Sequence, residues 1–232
     1  MKPLPAVVAD FDKIAEAIAA DPRPDLFTVA ERFLLEHVPA GARRAVDVGC
    51  GDGALTRALA ARGIPTLGID ASPRMIALAR ARAGEDPLLE YQIGDVMTGA
   101  LPPAAFDLVV SVAMAHHAPL ERVVRSLTAL VAPGGTLLLQ DVTTRRGIRH
   151  LPINGVAWAA RRLGLLPGGR TRAAVAALDE AHGAGEEYLL QEDVEDAYRT
   201  TLPGARLYHH LEWRYTAVWT AGTDALEAAT HR

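Results

Sequence analysis

Apolar residues cluster in this chain in two alternating rhythms. Between Arg44 and Gln140, short apolar runs alternate with stretches in which apolar residues recur at helical spacing. The runs Arg44–Val48, Pro65–Ile69, Leu88–Ile93, Phe106–Val112 and Thr136–Gln140 predict five strands. Phe106–Val112 is almost continuously apolar, as in a strand covered on both faces. Helices are predicted over Ala54–Arg62, ended by Gly63, and from Pro73 to about Ala83, with Ser72 as N-cap. Leu120, Val123, Val124, Leu127 and Val131 predict a further helix, ended by Pro133-Gly134-Gly135. Strand–helix repetition of this kind implies a parallel sheet with right-handed crossovers.

The flanks read differently. Residues 7–20 and 25–38 predict two helices separated by Pro22 and Pro24, an N-terminal cap over residues 1–40. The alternation breaks at 142–190, which reads as a helical insertion on the substrate side. It has helical pieces at 153–163 and 171–182 around Pro167-Gly168-Gly169. A helix at 191–200 and strands at Ala205–His210 and Trp213–Thr220 close the chain. Those strands are close in sequence and must be antiparallel. Trp213, Tyr215 and Trp219 share parity, which places them on one face of the last strand.

Composition narrows the function. The 232 residues carry a net charge of −4, an ordinary globular balance that argues against a general nucleic-acid binder. No apolar run approaches the ~20 residues of a membrane span, and the N-terminal stretch has no signal core. A cytoplasmic protein, monomeric or homodimeric and without a membrane partner, is the expectation. Cys50 stands alone, so neither an intrachain disulfide nor a cysteine metal cluster is expected, and no metal site is predicted.

The chemistry concentrates in Val46-Asp47-Val48-Gly49-Cys50-Gly51-Asp52-Gly53, where a strand ends in alternating glycines before a helix. Glycines let a ligand approach the backbone, and the helix start presents free N–H groups. Gly49, Gly51 and Ala54 also satisfy the looser dinucleotide pattern, with Asp70 about 20 residues on. An NAD-dependent oxidoreductase is therefore one alternative. Against it, Asp47 would lie near a pyrophosphate of like charge but suits a ligand with an ammonium and a sulfonium. Gly53 adds a third glycine, and Gly94-Asp95-Val96 supplies a second acidic strand end that a dinucleotide does not need.

With Gly68-Ile69-Asp70, Phe106–Ser111 and Leu130–Leu137 in order, the chain resembles the class I, Rossmann-like methyltransferases that use S-adenosylmethionine. Within them it is similar to the small-molecule enzymes of ubiquinone and menaquinone biosynthesis, and Met114-Ala115-His116-His117 is similar to their Leu-His-His. The resemblance implies a three-layer α/β/α sandwich on a mostly parallel seven-stranded sheet with an antiparallel last strand. It also implies S-adenosyl-L-methionine as cofactor and S-adenosyl-L-homocysteine as product. Gly49, Cys50, Gly51 and Gly53 would floor the site, with Asp47 at the methionine end. Asp70 would take the ribose hydroxyls. Gly94, Asp95 and Val96 would meet the adenine, with Ala71 and Met75 nearby, and Ser111 and Val112 would end the fourth strand beside the ligand.

The acceptor side is sparser. His116 and His117, the latter favoured, are candidate bases for a small-molecule O, N or C acceptor. Asp141 is a candidate substrate residue or a partner for Arg145. Arg145, Arg146 and Arg149 would meet an acidic substrate or water, and His150, His209 and His210 are more weakly placed. An S-adenosylmethionine-binding protein that transfers no methyl group is the remaining alternative.

Overall fold

The computed structural model describes residues 2–20, 27–144, 151–163, 188–211 and 213–222. The central strands are β1 (Ala45–Val48), β2 (Thr66–Asp70), β3 (Leu89–Ile93), β4 (Phe106–Val112) and β5 (Val131–Val142). With β6 (Arg206–His210) and β7 (Arg214–Thr220) they form one seven-stranded sheet, in the order β3-β2-β1-β4-β5-β7-β6. β1 to β5 are mutually parallel, and β7 runs antiparallel to both β5 and β6.

The alternation of side chains along the central strands builds two cores, one on each face. Val46, Val48, Val109, Leu137 and Leu139 face one way. They bury against α5 (Leu120–Thr128) through Val123, Val124 and Leu127, and against α7 (Val194–Thr201) through Val194 and Tyr198. Ala45, Leu108, Val110 and Leu138 face the other way. They meet Leu34 and Leu35 of α2 (Val29–Glu36) and Leu55 and Leu59 of α3 (Ala54–Ala60). This is the expected three-layer sandwich.

Local signals set the helix starts. Thr28 and Glu31 form a reciprocal capping box on α2. Ser72 caps α4 (Pro73–Ala83), its Oγ accepting from the Met75 N–H at 3.1 Å. A buried amide ties α2 to the sheet, because Gln140 Nε2 donates to the Ala30 carbonyl at 2.7 Å. The N-terminal helix α1 (Leu4–Ala19) packs on α4, with Ile14, Ala15 and Ile18 around Met75. Helix α6 (Leu151–Arg162) follows the sheet's fifth strand.

Two expectations need correction. Pro133-Gly134-Gly135 does not end a helix: α5 stops at Thr128, and these residues lie inside β5. The helical spacing runs on to Val131 only because β5 begins there and faces the same core. The register slips between Phe106 and Leu108 to absorb the turn, and Gly134 and Gly135 bond to Ala221 beyond β7. A Cβ on Gly135 would come within 2.8 Å of the Ala132 carbonyl, so only glycine fits. Trp213 likewise leaves the strand parity, since it has φ +55° in the turn before β7. Its Nε1 donates to Asn154 of α6 at 3.0 Å, whereas Tyr215 and Trp219 pack with the core on the α5 side. The helical stretch expected at 171–182 and the Pro167-Gly168-Gly169 turn lie outside the described residues.

Candidate functional site

Parallel pairing brings the carboxyl ends of β1, β2 and β4 level, with Val48 opposite both Ile69 and Ser111. The glycine loop leaves β1 there. It is pinned to β2, because the N–H groups of Gly49 and Cys50 both donate to the Ile69 carbonyl, at 2.8 and 3.1 Å. The three glycines have positive φ, for different reasons. A Cβ on Gly49 would lie 3.1 Å from the Met114 side chain, and one on Gly53 would lie 2.6 Å from the Tyr91 hydroxyl. At Gly51 a Cβ would meet nothing within 4 Å. Gly49 and Gly53 therefore answer to packing beneath the loop, and Gly51 presents the loop's open surface.

Asp47 lies under this loop, 2 % exposed, and accepts from Thr56 Oγ1 of α3 at 2.7 Å. Burial raises its carboxyl to about 7, and the neighbouring carboxylates of Asp70 and Asp52 add to the rise. Cys50 points into the packing with Ile76, Ala79 and Tyr91, and burial pushes its thiol up. It fills space and is held far from the thiolate form.

The acidic strand ends are held by backbone donors. Asp70 Oδ2 accepts from the Gly51 N–H at 2.9 Å and Oδ1 from the Ser72 N–H at 2.8 Å. Burial nevertheless raises its pKa. Ala71 is half-buried beside it, and Met75 sits in the seam between α1 and α4. The Gly94 N–H donates to the Asp70 carbonyl, which places Asp95 near β2. Asp95 Oδ1 accepts from the Met97 N–H at 2.8 Å, and Val96 is buried in the α5-side core. Ser111 is fully buried, its Oγ donating to the Val48 carbonyl at 2.9 Å, and Val112 is half-buried.

Past β4 the chain turns sharply. Ala113 takes φ +55° and its N–H donates to the Gln140 carbonyl at 2.9 Å. A short 3-10 turn, Ala115–His117, follows and swings His116 over the end of β5. There His116 Nδ1 lies 2.6 Å from Asp141 Oδ1, with the two side chains 5 % and 1 % exposed. With the Nδ1 proton donated to this carboxylate as a hydrogen bond, the ring is oriented with its Nε2 lone pair on the far side. His117 packs against His116 with ring centroids 4.1 Å apart, Phe11 of α1 meets His117 edge-on at 5.5 Å, and Tyr188 lies 5.1 Å from His116.

The sequence pointed to His116, His117 and Asp141 separately but not to the pairing. Only the topology brings residues 25 apart in the chain together. Phe11, Asp12 and the ion pair between Arg82 and Asp52 at 2.6 Å carried no recognisable motif. Arg145, Arg146, Arg149 and His150 lie outside the described residues. His209 and His210 point apart, toward Glu195 and Thr216 respectively. Among the described residues no group of three or more His, Cys, Asp or Glu side chains is arranged to hold a metal ion. No described helix is long and apolar enough to cross a membrane.

A parallel sheet with a glycine loop after β1, acidic ends on β2 and β3, and an antiparallel seventh strand defines a Rossmann-like, nucleoside-binding class of protein. A family profile described as a methyltransferase domain matches residues 46–139. Residues 46–139 thus resemble a methyltransferase domain, on the Rossmann-like fold described above. An uncharacterized methyltransferase of Mycobacterium bovis is 39% identical over 127 residues, 53% of this chain and 62% of that protein. The ubiquinone biosynthesis O-methyltransferase of Methylococcus capsulatus is 35% identical over 135 residues, 57% of each chain. The chain thus spans about three-fifths of the length of these curated relatives. Among solved structures, an S-adenosylmethionine-dependent methyltransferase from Mesorhizobium loti shares the fold, with TM-score 0.55 and 22% identity. That likeness covers 82% of this chain and 95% of the other.

The residues present fit that cofactor. Gly51 leaves open the space a side chain would fill, and Asp70 presents a carboxylate already oriented by two backbone donors. A carboxylate has about four acceptor sites, so Asp70 retains capacity for a ribose diol. Asp95 uses Oδ1 on the backbone and has a second oxygen suited to an exocyclic amine.

Proposed function

We propose that this protein is a small-molecule O-methyltransferase in which His116 removes the acceptor proton and Asp141 orients His116. The single observation that carries the reading is the buried contact of 2.6 Å between His116 Nδ1 and Asp141 Oδ1. A base is needed where the nucleophile begins protonated, as with a phenol or alcohol, and is superfluous for a neutral amine. The ubiquinone biosynthesis O-methyltransferases among the relatives support an oxygen acceptor, and no nucleic acid enters the reading.

When bound, S-adenosylmethionine supplies a methyl group activated on a sulfonium. The chain's own residues bind, align and exclude water. Asp70 accepts the ribose hydroxyls, Asp95 with Val96 holds the adenine, and Gly51 lets the ligand lie against the loop. Asp47 and Thr56 keep the loop in place from below. His116 rather than His117 is taken as the base, because Asp141 fixes the His116 ring. His117 packs against it.

The test is product formation. The protein is incubated with S-adenosylmethionine and separate panels of phenols, alcohols and amines, and S-adenosylhomocysteine is measured. Turnover confined to the hydroxyl panels supports the reading. Turnover of amines alone removes the base assignment. Binding of NAD without binding of S-adenosylhomocysteine overturns the cofactor, and cofactor binding without turnover of any panel favours a non-methylating protein.

A further inference from the structure

Helix α1 touches two of the loops that follow the carboxyl ends of the sheet and is linked to a third, the glycine loop, through Arg82 of α4. Near its end, the Ile18 carbonyl accepts from Arg82 Nη2 at 2.9 Å, while Arg82 Nη1 pairs with Asp52 in the glycine loop at 2.6 Å. Further back, Asp12 Oδ1 accepts from Ser72 Oγ at 2.6 Å and from the Arg74 N–H at 3.3 Å. One residue before it, Phe11 meets the ring of His117 at an interplanar angle of 85°. Neighbours on an α-helix project about 100° apart. Phe11 and Asp12 therefore reach different loops from one turn of α1.

The Asp12 contact bears on the cofactor side. Ser72 accepts from the Met75 N–H through Oγ and sends its hydroxyl proton to Asp12. The same residue's backbone N–H donates to Asp70 Oδ1. Asp12 thus fixes the residue that fixes the Asp70 carboxylate. Like charges repel, so what Asp12 supplies is an acceptor oxygen rather than its charge. The Phe11 contact bears on the acceptor side, since His117 packs directly on His116.

Resting on the function proposed above, we infer that Phe11 and Asp12 are positioning residues for the two halves of the site. Asp12 acts through Ser72 on the cofactor-binding carboxylate of Asp70, and Phe11 acts on His117 beside the base. The N-terminal helix thereby joins cofactor binding to the geometry of the acceptor side.

The experiment pairs calorimetric titration of S-adenosylhomocysteine with NMR of the histidine imidazoles in the ligand-free protein. Asp12→Ala should weaken binding about tenfold, because Ser72 loses the acceptor that holds it and Asp70 loses its fixed donor. Asp12→Asn keeps the acceptor oxygen and should bind within about threefold of wild type. Phe11→Ala should leave S-adenosylhomocysteine affinity unchanged and weaken the nuclear Overhauser contact between the His116 and His117 rings, which loss of the Phe11 ring current alone does not do. Equal affinity of Asp12→Ala and wild type overturns the Asp12 half. An unchanged His116–His117 Overhauser contact in Phe11→Ala overturns the Phe11 half. Should Asp12→Ala fail to fold, hydrogen exchange of the wild type gives the same information, because linkage requires the ligand to protect the α1 amides. Unchanged exchange there also overturns the Asp12 half. A wild-type protein that binds no S-adenosylhomocysteine removes the cofactor assignment and the Asp12 half with it, while the Phe11 half is still read without ligand.

Discussion

His116 and Asp141 meet through Nδ1 and Oδ1 at 2.6 Å, both almost wholly buried, where the turn after β4 crosses the end of β5. The carboxylate is set by its own strand, since Asp141 Oδ1 also accepts from the Val142 N–H at 2.7 Å. A fixed acceptor imposes one ring orientation and one tautomer on the histidine. Asp141→Asn puts an amide there, removing the charge that stabilises the imidazolium formed during proton removal. Its turnover of a hydroxyl acceptor should fall by about 10²–10⁴, the range general-base catalysis contributes. His116→Ala should do the same, and the double variant should be no worse than either single one, because the two act as a unit. S-adenosylhomocysteine affinity should not change in any of them. Additive losses in the double variant would separate Asp141 from His116.

The glycine loop gives a contrast between two positions with the same backbone. Gly51 and Gly53 have φ +54° and +77°, so alanine costs about 1–2 kcal/mol of backbone strain at either. At Gly53 the new methyl also meets the hydroxyl of Tyr91 on β3 and the side chain of Ala79 on α4. At Gly51 it meets no protein atom. Gly53→Ala should therefore lower the melting temperature by clearly more than Gly51→Ala. Gly51→Ala should lose S-adenosylhomocysteine binding while remaining folded. Thermal denaturation and titration of the two variants check this, and intact binding in Gly51→Ala would move the cofactor off that surface.

Much of this fold was legible because its strands announce themselves. Val46, Val48, Leu108 and Val110 lie in short apolar runs that make sense only in a sheet covered on both faces, and Ser72-Pro73 marks the start of α4 with local chemistry. The glycine loop was legible for the same reason: Gly49, Gly51, Gly53 and Asp70 stand at the turn that must follow β1 and at the end of the strand paired beside it. The seam at Pro133–Gly135 was misread because those residues usually stop a chain, and here a slipped register and bonds to Ala221 carry the strand through them. His116–Asp141, Asp12–Ser72 and Arg82–Asp52 depend on contacts 25, 60 and 30 residues apart. No local pattern encodes such distances, and no propensity marks Phe11 as the neighbour of His117.

Asp70 offers a graded test of the cofactor side. Asp70→Asn keeps one acceptor oxygen but loses the charge and one acceptor. Asp70→Ala loses all of them and leaves the Gly51 and Ser72 N–H groups without their partner. Charge-assisted hydrogen bonds contribute about 1.5–3 kcal/mol each, so Asp70→Ala should weaken S-adenosylhomocysteine by about tenfold to a hundredfold or more. Asp70→Asn should fall between it and wild type. Calorimetric titration at constant pH measures the series, and an affinity unchanged in Asp70→Ala would take Asp70 away from the ribose.

Asp47 gives the pH dependence of the fold. Its carboxyl is raised from 3.8 to about 7, chiefly by burial under the glycine loop. In the unfolded chain the group ionises near 3.8, while in the folded protein it keeps its proton to about 7. The folded state therefore binds the extra proton between these values, and stability must fall as pH rises through that window. Below it the group is protonated in both states and adds no slope, and above it the penalty is complete. Three pKa units correspond to about 4 kcal/mol as an upper bound. Asp47→Asn can still accept from the Thr56 hydroxyl and has no charge to bury, so it should lose this slope. Urea denaturation of the two proteins should show nearly equal stability near pH 4 and a growing advantage of Asp47→Asn toward pH 8. A difference that stays constant across the window would mean that Asp47 is already ionised beneath the loop at low pH, held there by more than its one bond to Thr56.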